Sequence, residues 1–521
     1  MSSTDPTKTK RAKTEAKPAH FTSAKTQTNN YYVSHSLHSV VQLQETDYHR
    51  FSPLLTGGER SELEKEKRIE DEKGIVWDAV IDTTAKYMKY AAANFNTTEL
   101  DVDLKVEEKR QALDRRLRRK FKQLLLKYEL APPIQAFERW VFNAISKASS
   151  KQRKDPLLPF NILTEDNLVS DLMRAGINEK IAKQIVKDLG KESTSCVQEL
   201  LELESKLNKA RQSSPSDQQV HDETVTITHH STSVDVTFGK NSFCKLSPSH
   251  YKKLETLYKK YSNKPDFADF PKSLMALLLR YKSLLGHGFQ AALSNVAFNV
   301  LNREFGVDFE CFASPLNARW GRHCSAFIDT DAAFGSFGDF FSFKPYEGSF
   351  QVNPPFVKPI MEKAVKHVLE LLDRAESTKK ALSFVVVIPG WEECECWGSL
   401  KSSAFLKGMT LLPGDQHGFL DGAQHQRQDK YRPSPYPTGI FFLQTATATG
   451  KWPVTDKKIA LLRYALFCSM PSQSESARRL RTGRGFSAID GGGGIYKGKN
   501  KNKRTWQDEG EGDGADGDEQ Y

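Results

Sequence analysis

Residues 353–356, with the sequence NPPF, carry the most specific chemistry in this chain. The segment directly follows the strand-like run SFQV and directly precedes a helical pattern, which predicts that it lies at the carboxyl end of a strand. Pro354 and Pro355 stiffen the turn and remove two backbone donors. The Asn353 side-chain oxygen and the Pro354 carbonyl can then accept both hydrogens of an exocyclic amine, and Phe356 offers a ring on which a base can stack. The alternative is a strand-to-helix turn with a buried phenylalanine.

A second candidate, Trp391, occupies a comparable position in the segment IPGWEE, which follows a very apolar run. A tryptophan at the end of a strand lies at the mouth of a pocket and can stack on a base. Filling of the protein core is the alternative role for this side chain.

A third candidate is a strongly basic helix between residues 109 and 122. Its apolar face is formed by leucines and a phenylalanine, so lysine and arginine crowd the remaining surface. Arginine forks suit phosphate groups, and we select Arg115, Arg116 and Arg119 as candidate phosphate ligands. Arg139, beside Trp140, is a weaker candidate that combines a phosphate clamp with a stacking ring. A basic helix face that only contacts solvent is the alternative.

The elements that must position these residues differ between the two halves of the chain. From about 60 to 210 the periodicity is helical, with Leu113, Leu117, Phe121, Leu124 and Tyr128 on one face and a predicted break at Gly176. An earlier helical face is formed by Trp77, Val80, Ile81, Ala85 and Met88. After 220 the run TVTITHHSTSVDVTF predicts a strand, and short β-rich runs alternate with helices. This alternation favours a largely parallel sheet that is covered on both faces. Ligands of such sheets bind beyond the carboxyl ends of the strands.

These patterns divide the chain into five parts. We predict a disordered basic tail over 1–60, a helical domain over 61–210, a linker and first strand over 211–235, an α/β domain over 236–470, and a disordered tail over 471–521. In the last part a basic block, which includes KGKNKNKR, precedes an acidic one.

Composition excludes several classes of protein. No apolar run approaches the ~20 residues that a membrane helix needs, and the first residues do not resemble a secretory signal. The seven cysteines are sparse and odd in number, which argues against a disulfide framework, and their spacing with histidine matches no recognised zinc site. A net charge of +10 favours a polyanionic partner.

Three segments together carry a family resemblance, and the second of them contains NPPF: FGVDFECFASPLNARWGRHCSAFIDTDAAFGSFG, GSFQVNPPF and LSFVVVIPGW. NPPF is similar to the Asp/Asn-Pro-Pro-aromatic motif of adenine-N(6) and other amino-methyltransferases. The longer segments resemble the phosphorylated-CTD-interacting-factor family, densely over about 275–420. This resemblance implies a Rossmann-like domain that uses S-adenosylmethionine, without a metal, to methylate N(6) of the 2′-O-methyladenosine beside the messenger RNA cap. It also implies that the helical domain binds RNA and the cap.

The resemblance also assigns roles to single residues. It places the methyl donor against the loop after the first strand, against carboxylates after the next strand, and against the segment PGDQHGF. The donor-binding candidates are therefore Phe312, Pro315, Asn317, Asp329, Asp331, Gly414, His417 and Phe419. For the two aspartates, solvated loop carboxylates are an equally good explanation. The resemblance also places substrate contacts at IPGWEE, so we prefer a substrate-binding role for Trp391 and add Glu392 and Glu393 to the candidates.

Several expectations depart from the family or stay open. Some relatives carry a WW domain that recognises the phosphorylated polymerase tail, and the first 76 residues contain no tryptophan, so we expect no such module here. Capped mRNA is the expected partner, and the oligomeric state is undetermined. A methyltransferase acting on internal RNA or DNA sites and a non-catalytic RNA-binding relative are the two alternatives. The basic blocks of the last part predict a nuclear location, with a cytoplasmic one as the alternative.

Overall fold

The structure, a computed structural model, begins with a helical half. The residues that it describes are 54–73, 87–90, 102–133, 135–148, 153–162, 165–213, 224–240, 242–262, 267–284, 290–422, 425–426 and 430–471. Most of the two predicted tails and most of the predicted helix around Trp77 lie outside them. The helices of this half are α1 (Gly57–Lys73), α2 (Leu104–Leu126), α3 (Ala136–Lys147), α4 (Asp166–Arg174) and α5 (Glu179–Ser213).

Helix α2 is the predicted basic helix, and its pattern explains both its start and its packing. The Asp103 side chain accepts hydrogen bonds from the amides of Lys105 and Val106, which caps the amino end. Four of the five residues predicted for its apolar face are buried, in a cluster shared with α3 and α5. Tyr128, the fifth, lies beyond the end of the helix and is 42% exposed. The prediction for Met88 was wrong, because this side chain is exposed while Tyr87 and Tyr90 are buried.

The predicted break at Gly176 is confirmed. Gly176 has a φ of +97°, a conformation that glycine adopts without strain, and it separates α4 from α5. The second helix is longer than the pattern indicated, and it extends to Ser213, inside the predicted linker. The remainder of that linker lies outside the described residues.

The run TVTITHHSTSVDVTF forms two strands where one was predicted. Strands β1 (Val225–His229) and β2 (Val234–Phe238) pair antiparallel, and β3 (Ser242–Leu246) adds to the other side of β2. The turn is closed by the amide of His230, which donates to the carbonyl of Ser233 at 2.8 Å. Alternate residues of β2 are buried in a cluster that includes the next two helices, α6 (Pro248–Tyr261) and α7 (Phe270–Lys282).

The second half is built around a four-stranded sheet. Its elements in chain order are α8 (Asn295–Phe305), α9 (Ile328–Asp331), β4 (Gly348–Val352), α10 (Lys358–Ser377), β5 (Leu382–Pro389), α11 (Glu395–Lys401), β6 (Leu406–Leu412), β7 (Gly418–Leu420), β8 (Tyr431–Pro433), β9 (Thr438–Gln444), α12 (Ala446–Lys451) and α13 (Asp456–Phe467). The strand order is β4-β5-β9-β6, and β7 pairs with β8 separately.

The sheet is mixed, so the prediction of a largely parallel sheet is corrected. Strands β4 and β5 are parallel, whereas β9 runs antiparallel to both β5 and β6. The expected cover on both faces is present. Phe384 and Val386 of β5 pack into the cluster that contains α10, and Val385 and Val387 pack into the cluster that contains α8 and α13.

Beyond β4 the sheet continues through single bridges. Glu310 pairs in parallel with Gln351 of β4, His323 pairs with Glu310, and Ser336 pairs with His323. Of the two runs predicted as strands here, VDFECFA contributes only Glu310, which makes two of these bridges, and CSAFID contributes none, because the bridging His323 directly precedes it. The full lateral order is Ser336, His323, Glu310, β4, β5, β9 and β6. Because the Glu310 segment and β4 are parallel neighbours, their carboxyl ends meet at one edge.

Candidate active site

The NPPF segment lies where β4 ends and α10 is about to begin. Pro354 is buried, and the other three residues of the segment are half-buried. The amide of Val357 donates to the carbonyl of Pro355 at 2.7 Å, which closes the turn. Pro359 lies in the first turn of α10, where its missing donor costs nothing. The sequence prediction of a strand-to-helix junction is therefore confirmed.

The orientation of the Asn353 side chain is set by a backbone carbonyl far away in the chain. Its Nδ2 donates to the carbonyl oxygen of Ala291 at 3.2 Å. The nitrogen and the oxygen of an amide group point in different directions, so Asn353 Oδ1 points away from the Ala291 carbonyl. Within the described part of the chain, Oδ1 accepts no hydrogen bond. The Asn353 side chain thus presents an acceptor, as the chemistry of an amine substrate requires.

Residues 290–292 organise the site, and the sequence pattern did not identify them. The Gln290 carbonyl accepts from Asn317 Nδ2 at 2.9 Å, and the Ala291 carbonyl accepts from Asn353. Ala292 exchanges both backbone hydrogen bonds with Leu420. Three predicted parts of the site therefore converge on three consecutive residues. Their side chains gave no signal of this role, because Gln290 is followed only by two alanines and a leucine before Ser294, which caps α8.

The predicted donor loop after Glu310 is held in a closed turn by its own side chains. Asn317 Oδ1 accepts from the amide and the hydroxyl of Ser314, at 2.7 and 3.0 Å. Glu310 Oε2 accepts from the amide of Arg319 at 2.5 Å. Asn317 is 7% exposed and Pro315 is buried, so both shape the loop. Phe312 is half-buried against Phe340 and Phe341.

Two buried ionisable groups lie beneath this loop. Burial raises the pKa of Glu310 to about 7, and the backbone amide of Arg319 opposes the shift. Burial lowers the pKa of Lys253 to about 7, against the attraction of Glu310. Lys253 Nζ donates to the carbonyl of Ala318 at 2.8 Å, so this side chain braces the loop from below.

The two aspartates predicted at the donor site have different surroundings. Asp331 is fully buried, and it accepts hydrogen bonds from Tyr281 and Thr330 at 2.6 and 2.8 Å. Burial raises its pKa to about 7. Asp329 keeps 32% of its side chain exposed and is paired with Arg280. Only Asp329 therefore presents a carboxylate to solvent, and the donor role of both residues stays a prediction.

Trp391 lies next to the NPPF segment, as the sequence predicted. Its ring is half-buried and meets the Phe356 ring edge-on, with 6.5 Å between the centroids. The Tyr436 ring, which was not identified from the sequence, also meets Trp391 edge-on, with 5.6 Å between the centroids. These three rings form an aromatic cluster at the end of β5. Glu392 and Glu393 are exposed beside it.

The segment 413–419 is mainly structural. His417 Nδ1 donates to the carbonyl of Pro413, and His417 Nε2 accepts from the Thr438 hydroxyl, both at 2.7 Å. Burial lowers the pKa of His417 to about 4. Gly414 allows a close approach, since an added Cβ would lie 3.1 Å from the carbonyl oxygen of Ser434. Phe419 belongs to the buried apolar cluster around α8 and α13.

The arginines of α2 are largely neutralised by acidic side chains, which corrects the expectation of an uncompensated basic face. Arg116 pairs with Glu192 and Glu199 of α5, at 2.7 and 2.5 Å. Arg118 pairs with Asp114 and Glu138.

Fewer of the candidate arginines therefore have a charge that no acidic side chain neutralises. Arg115 and Arg119 are exposed and form no ion pair within the described residues. Arg119 also lines a cavity of about 250 Å³, together with Arg116, Lys120, Gln123 and Glu192. Arg139 is bound by Asp171 at 2.8 Å. Trp140 is completely buried, so its predicted role as a stacking ring was wrong.

Two further properties concern the described part of the chain only. No group of three or more His, Cys, Asp or Glu side chains is arranged there to hold a metal ion. None of its helices combines the length and the apolar character needed to cross a membrane.

Comparison with known proteins locates the similarity in this same region. Residues 253–422 match the sequence model of a family described as phosphorylated CTD interacting factor 1 WW domain. Two curated relatives, from Mus musculus and Homo sapiens, are both named mRNA (2'-O-methyladenosine-N(6)-)-methyltransferase. Each is 37% identical over 238 residues, which cover 43% of this chain and 33% of the relative. The chain thus spans about a third of the length of the curated relatives that it matches.

This match corrects the expectation that the chain lacks the WW feature of the family. That expectation rested on the first 76 residues, which contain no tryptophan. The matched segment begins later and includes Trp320, Trp391 and Trp397. Its residues belong to the helices and strands around the central sheet, so a search for a short separate module missed it.

Proposed function

We propose that this chain, whose residues 253–422 belong to the phosphorylated-CTD-interacting-factor family, transfers a methyl group from S-adenosylmethionine to N(6) of the cap-adjacent 2′-O-methyladenosine of mRNA. The observation that carries the proposal is the NPPF turn, in which Ala291 orients Asn353 as an acceptor. The names of the curated relatives supply the reaction and the substrate.

The sheet order supports a Rossmann-like arrangement for the donor domain. Numbered along the chain, the segments around Glu310, His323 and Ser336 and the strands β4 and β5 follow the order 3-2-1-4-5. In doubly wound sheets the order reverses between strands 1 and 4, and ligands bind in the crevice at that point. Here the reversal lies between the Glu310 segment and β4, which end in the donor loop and in NPPF.

Several side chains at this edge fit the donor. Asp329 offers a carboxylate for hydroxyl groups of the donor ribose, and Phe312 offers a half-buried ring. The donor supplies an electrophilic methyl group and requires no metal. Asn317, Pro315, Gly414 and His417 contribute by keeping the surrounding loops in shape.

The adenine amine is a weak nucleophile because its lone pair is delocalised into the ring. Asn353 Oδ1 and the Pro354 carbonyl accept its two hydrogens, which favours the pyramidal geometry and stabilises the positive charge that develops on nitrogen. Because both acceptors are fixed before the substrate binds, little reorganisation is needed during transfer. The proton leaves to solvent afterwards.

The aromatic cluster of Phe356, Trp391 and Tyr436 provides the surface that holds the base. Stacking on aromatic rings is sequence-tolerant and contributes roughly 1–3 kcal/mol per base. Specificity for a cap-adjacent nucleotide must then come from contacts outside the ring cluster. The phosphate ligands that we propose are two exposed arginines of α2, Arg115 and Arg119, of which Arg119 lines the cavity.

The family description also motivates a protein partner. We propose that the chain associates with the phosphorylated C-terminal tail of RNA polymerase II. Fluorescence anisotropy with phosphorylated and unphosphorylated tail peptides tests this association. Equal binding of the two peptides would contradict it.

Nucleoside mass spectrometry after incubation with defined RNAs tests the activity. The substrates are capped RNAs beginning with 2′-O-methyladenosine, adenosine or guanosine, and an uncapped RNA of the first sequence. We expect N(6)-methylation mainly of the first RNA, and its loss in Asn353→Ala. Equal methylation of capped and uncapped RNA would favour an enzyme of internal sites. Absence of both methylation and donor binding would favour a non-catalytic RNA-binding relative.

A further inference from the structure

Arg280 is a completely buried cation that joins the helical half of the chain to the donor edge of the sheet. It lies on α7 and is 1% exposed. Its Nη1 and Nη2 donate to the two oxygens of Asp329, at 3.0 and 2.7 Å. Its Nε and Nη2 donate to the two oxygens of Glu107 on α2, at 3.0 and 2.6 Å. A guanidinium that makes two bidentate contacts has no rotational freedom left.

Glu107, which binds Arg280 from α2, is itself held in place by neighbouring side chains. Glu107 also accepts from Arg110, one turn later on α2. Arg110 Nε donates to Asp155 at 2.7 Å, and Asp155 caps the amides of Leu157 and Leu158. The side chains of Glu107, Arg110 and Asp155 are all at most 5% exposed. The position of Arg280 is therefore set by a rigid set of charges in the helical half.

Asp329 differs from the other members of the cluster because its side chain is 32% exposed. Burial tends to raise the pKa of its carboxyl group, but Arg280 outweighs this effect and lowers the pKa, so Asp329 stays charged. Each carboxylate oxygen that is bound to Arg280 has a second lone pair for another donor. In doubly wound sheets a carboxylate that follows the second strand accepts from a ribose hydroxyl. Asp329 follows the second bridging segment, around His323.

We propose that Arg280 is a positioning residue for the methyl donor, which fixes the Asp329 carboxylate while Glu107 fixes Arg280. The inference rests on the proposed function, because it takes the donor ribose as the ligand of Asp329. It predicts that a residue on α2, outside every donor-binding motif, changes donor affinity. A residue that serves only stability would change the melting temperature and leave the affinity as it is.

The decisive variant is Glu107→Gln, with Glu108→Gln as the matched control on the same helix. Glutamine at 107 keeps the shape but replaces one oxygen by a group that repels the guanidinium. The Glu108 side chain accepts a hydrogen bond from the Ser242 hydroxyl at 2.8 Å, and a glutamine oxygen can accept the same bond. For Glu107→Gln we expect the Kd and KM for S-adenosylmethionine to rise about tenfold, the scale of one charge-assisted hydrogen bond. The kcat at saturating donor should stay within about twofold, because Asn353 is not touched.

Arg280→Lys is the second variant. Lysine keeps the positive charge but lacks the planar guanidinium, so it cannot make bidentate contacts with both carboxylates. We expect it to weaken donor binding at least as much as Glu107→Gln, and it carries the test if the latter does not fold. Titration calorimetry of the intact chain measures donor Kd directly, and the melting temperature is recorded for every variant. Wild-type protein that fails to bind the donor would overturn the proposed function. Wild-type binding combined with an unchanged Kd in folded Glu107→Gln or Arg280→Lys would overturn the role of Arg280 alone.

Discussion

Replacing Asn353 with aspartate separates the orientation of this side chain from its charge. A negative charge at 353 would by itself stabilise the positive charge that develops on the substrate amine. The structure predicts the opposite outcome, because Asn353 Nδ2 donates to the Ala291 carbonyl and aspartate has no hydrogen to donate. Two oxygens would face each other at that contact, and the carboxylate would rotate away from its place in the site.

The size of the effect follows from the interactions that are lost. Loss of the contact to Ala291 costs about 1 kcal/mol of stability, the net value of a typical hydrogen bond. Misplacement of an acceptor that acts in the transition state lowers turnover by roughly 10²–10³-fold, or about 2.7–4 kcal/mol. Asn353→Ala, which removes the acceptor altogether, should lower turnover to a similar extent, and RNA affinity should barely change in either variant.

Single-turnover methyl transfer to capped RNA, together with thermal unfolding, provides the measurement. Asn302→Asp is the matched control, since Asn302 Nδ2 also donates to a backbone carbonyl, that of Val307, at 2.9 Å. This control should lose comparable stability and keep normal turnover. Turnover of Asn353→Asp within about threefold of the wild-type value would refute the proposed orientation of the side chain.

Four further predictions concern RNA binding, thermal stability, pH and location. Reversing Arg115 and Arg119 to glutamate should weaken RNA binding and leave donor affinity unchanged. The slope of log affinity against log salt concentration should fall in magnitude by up to about two. An unaltered slope in filter binding would mean that these side chains only contact solvent. Reversing Arg116 and Arg118 should instead lower the melting temperature, because four ion pairs with acidic side chains are lost and replaced by repulsion. The pKa of His417 is about 4 in the folded state and about 6.5 when unfolded, so the unfolded state binds more protons between these values. The contribution of His417 to stability is complete above pH 6.5 and falls by up to about 3 kcal/mol as the pH drops to 4, so urea titrations of His417→Gln should show a smaller loss over this range. Deleting residues 471–521 should shift a fluorescent fusion from the nucleus to the cytoplasm, and an unchanged nuclear signal would place the import signal elsewhere.

Local patterns were sufficient to predict several of the helices and the main motif. The apolar spacing of α2, the break at Gly176 and the strand-to-helix position of NPPF depend on neighbours within a few residues. The same holds for Trp391, which follows a strand that is buried along its whole length. The carboxyl ends of parallel neighbours meet at one edge, so the proximity of Trp391 to Phe356 followed from their places after β5 and β4.

Tertiary structure alone decided what these side chains contact. Asn353 is oriented by a carbonyl 62 residues away, and Arg116 is neutralised by acids 76 and 83 residues away. Arg280 reaches Glu107 across 173 residues. Hydrogen bonds and ion pairs of this kind depend on how the helices and the sheet pack, and no periodicity in the sequence records them. The pattern therefore determined where the acceptor and the basic helix lie, while packing determined which way the acceptor faces and which charges remain free.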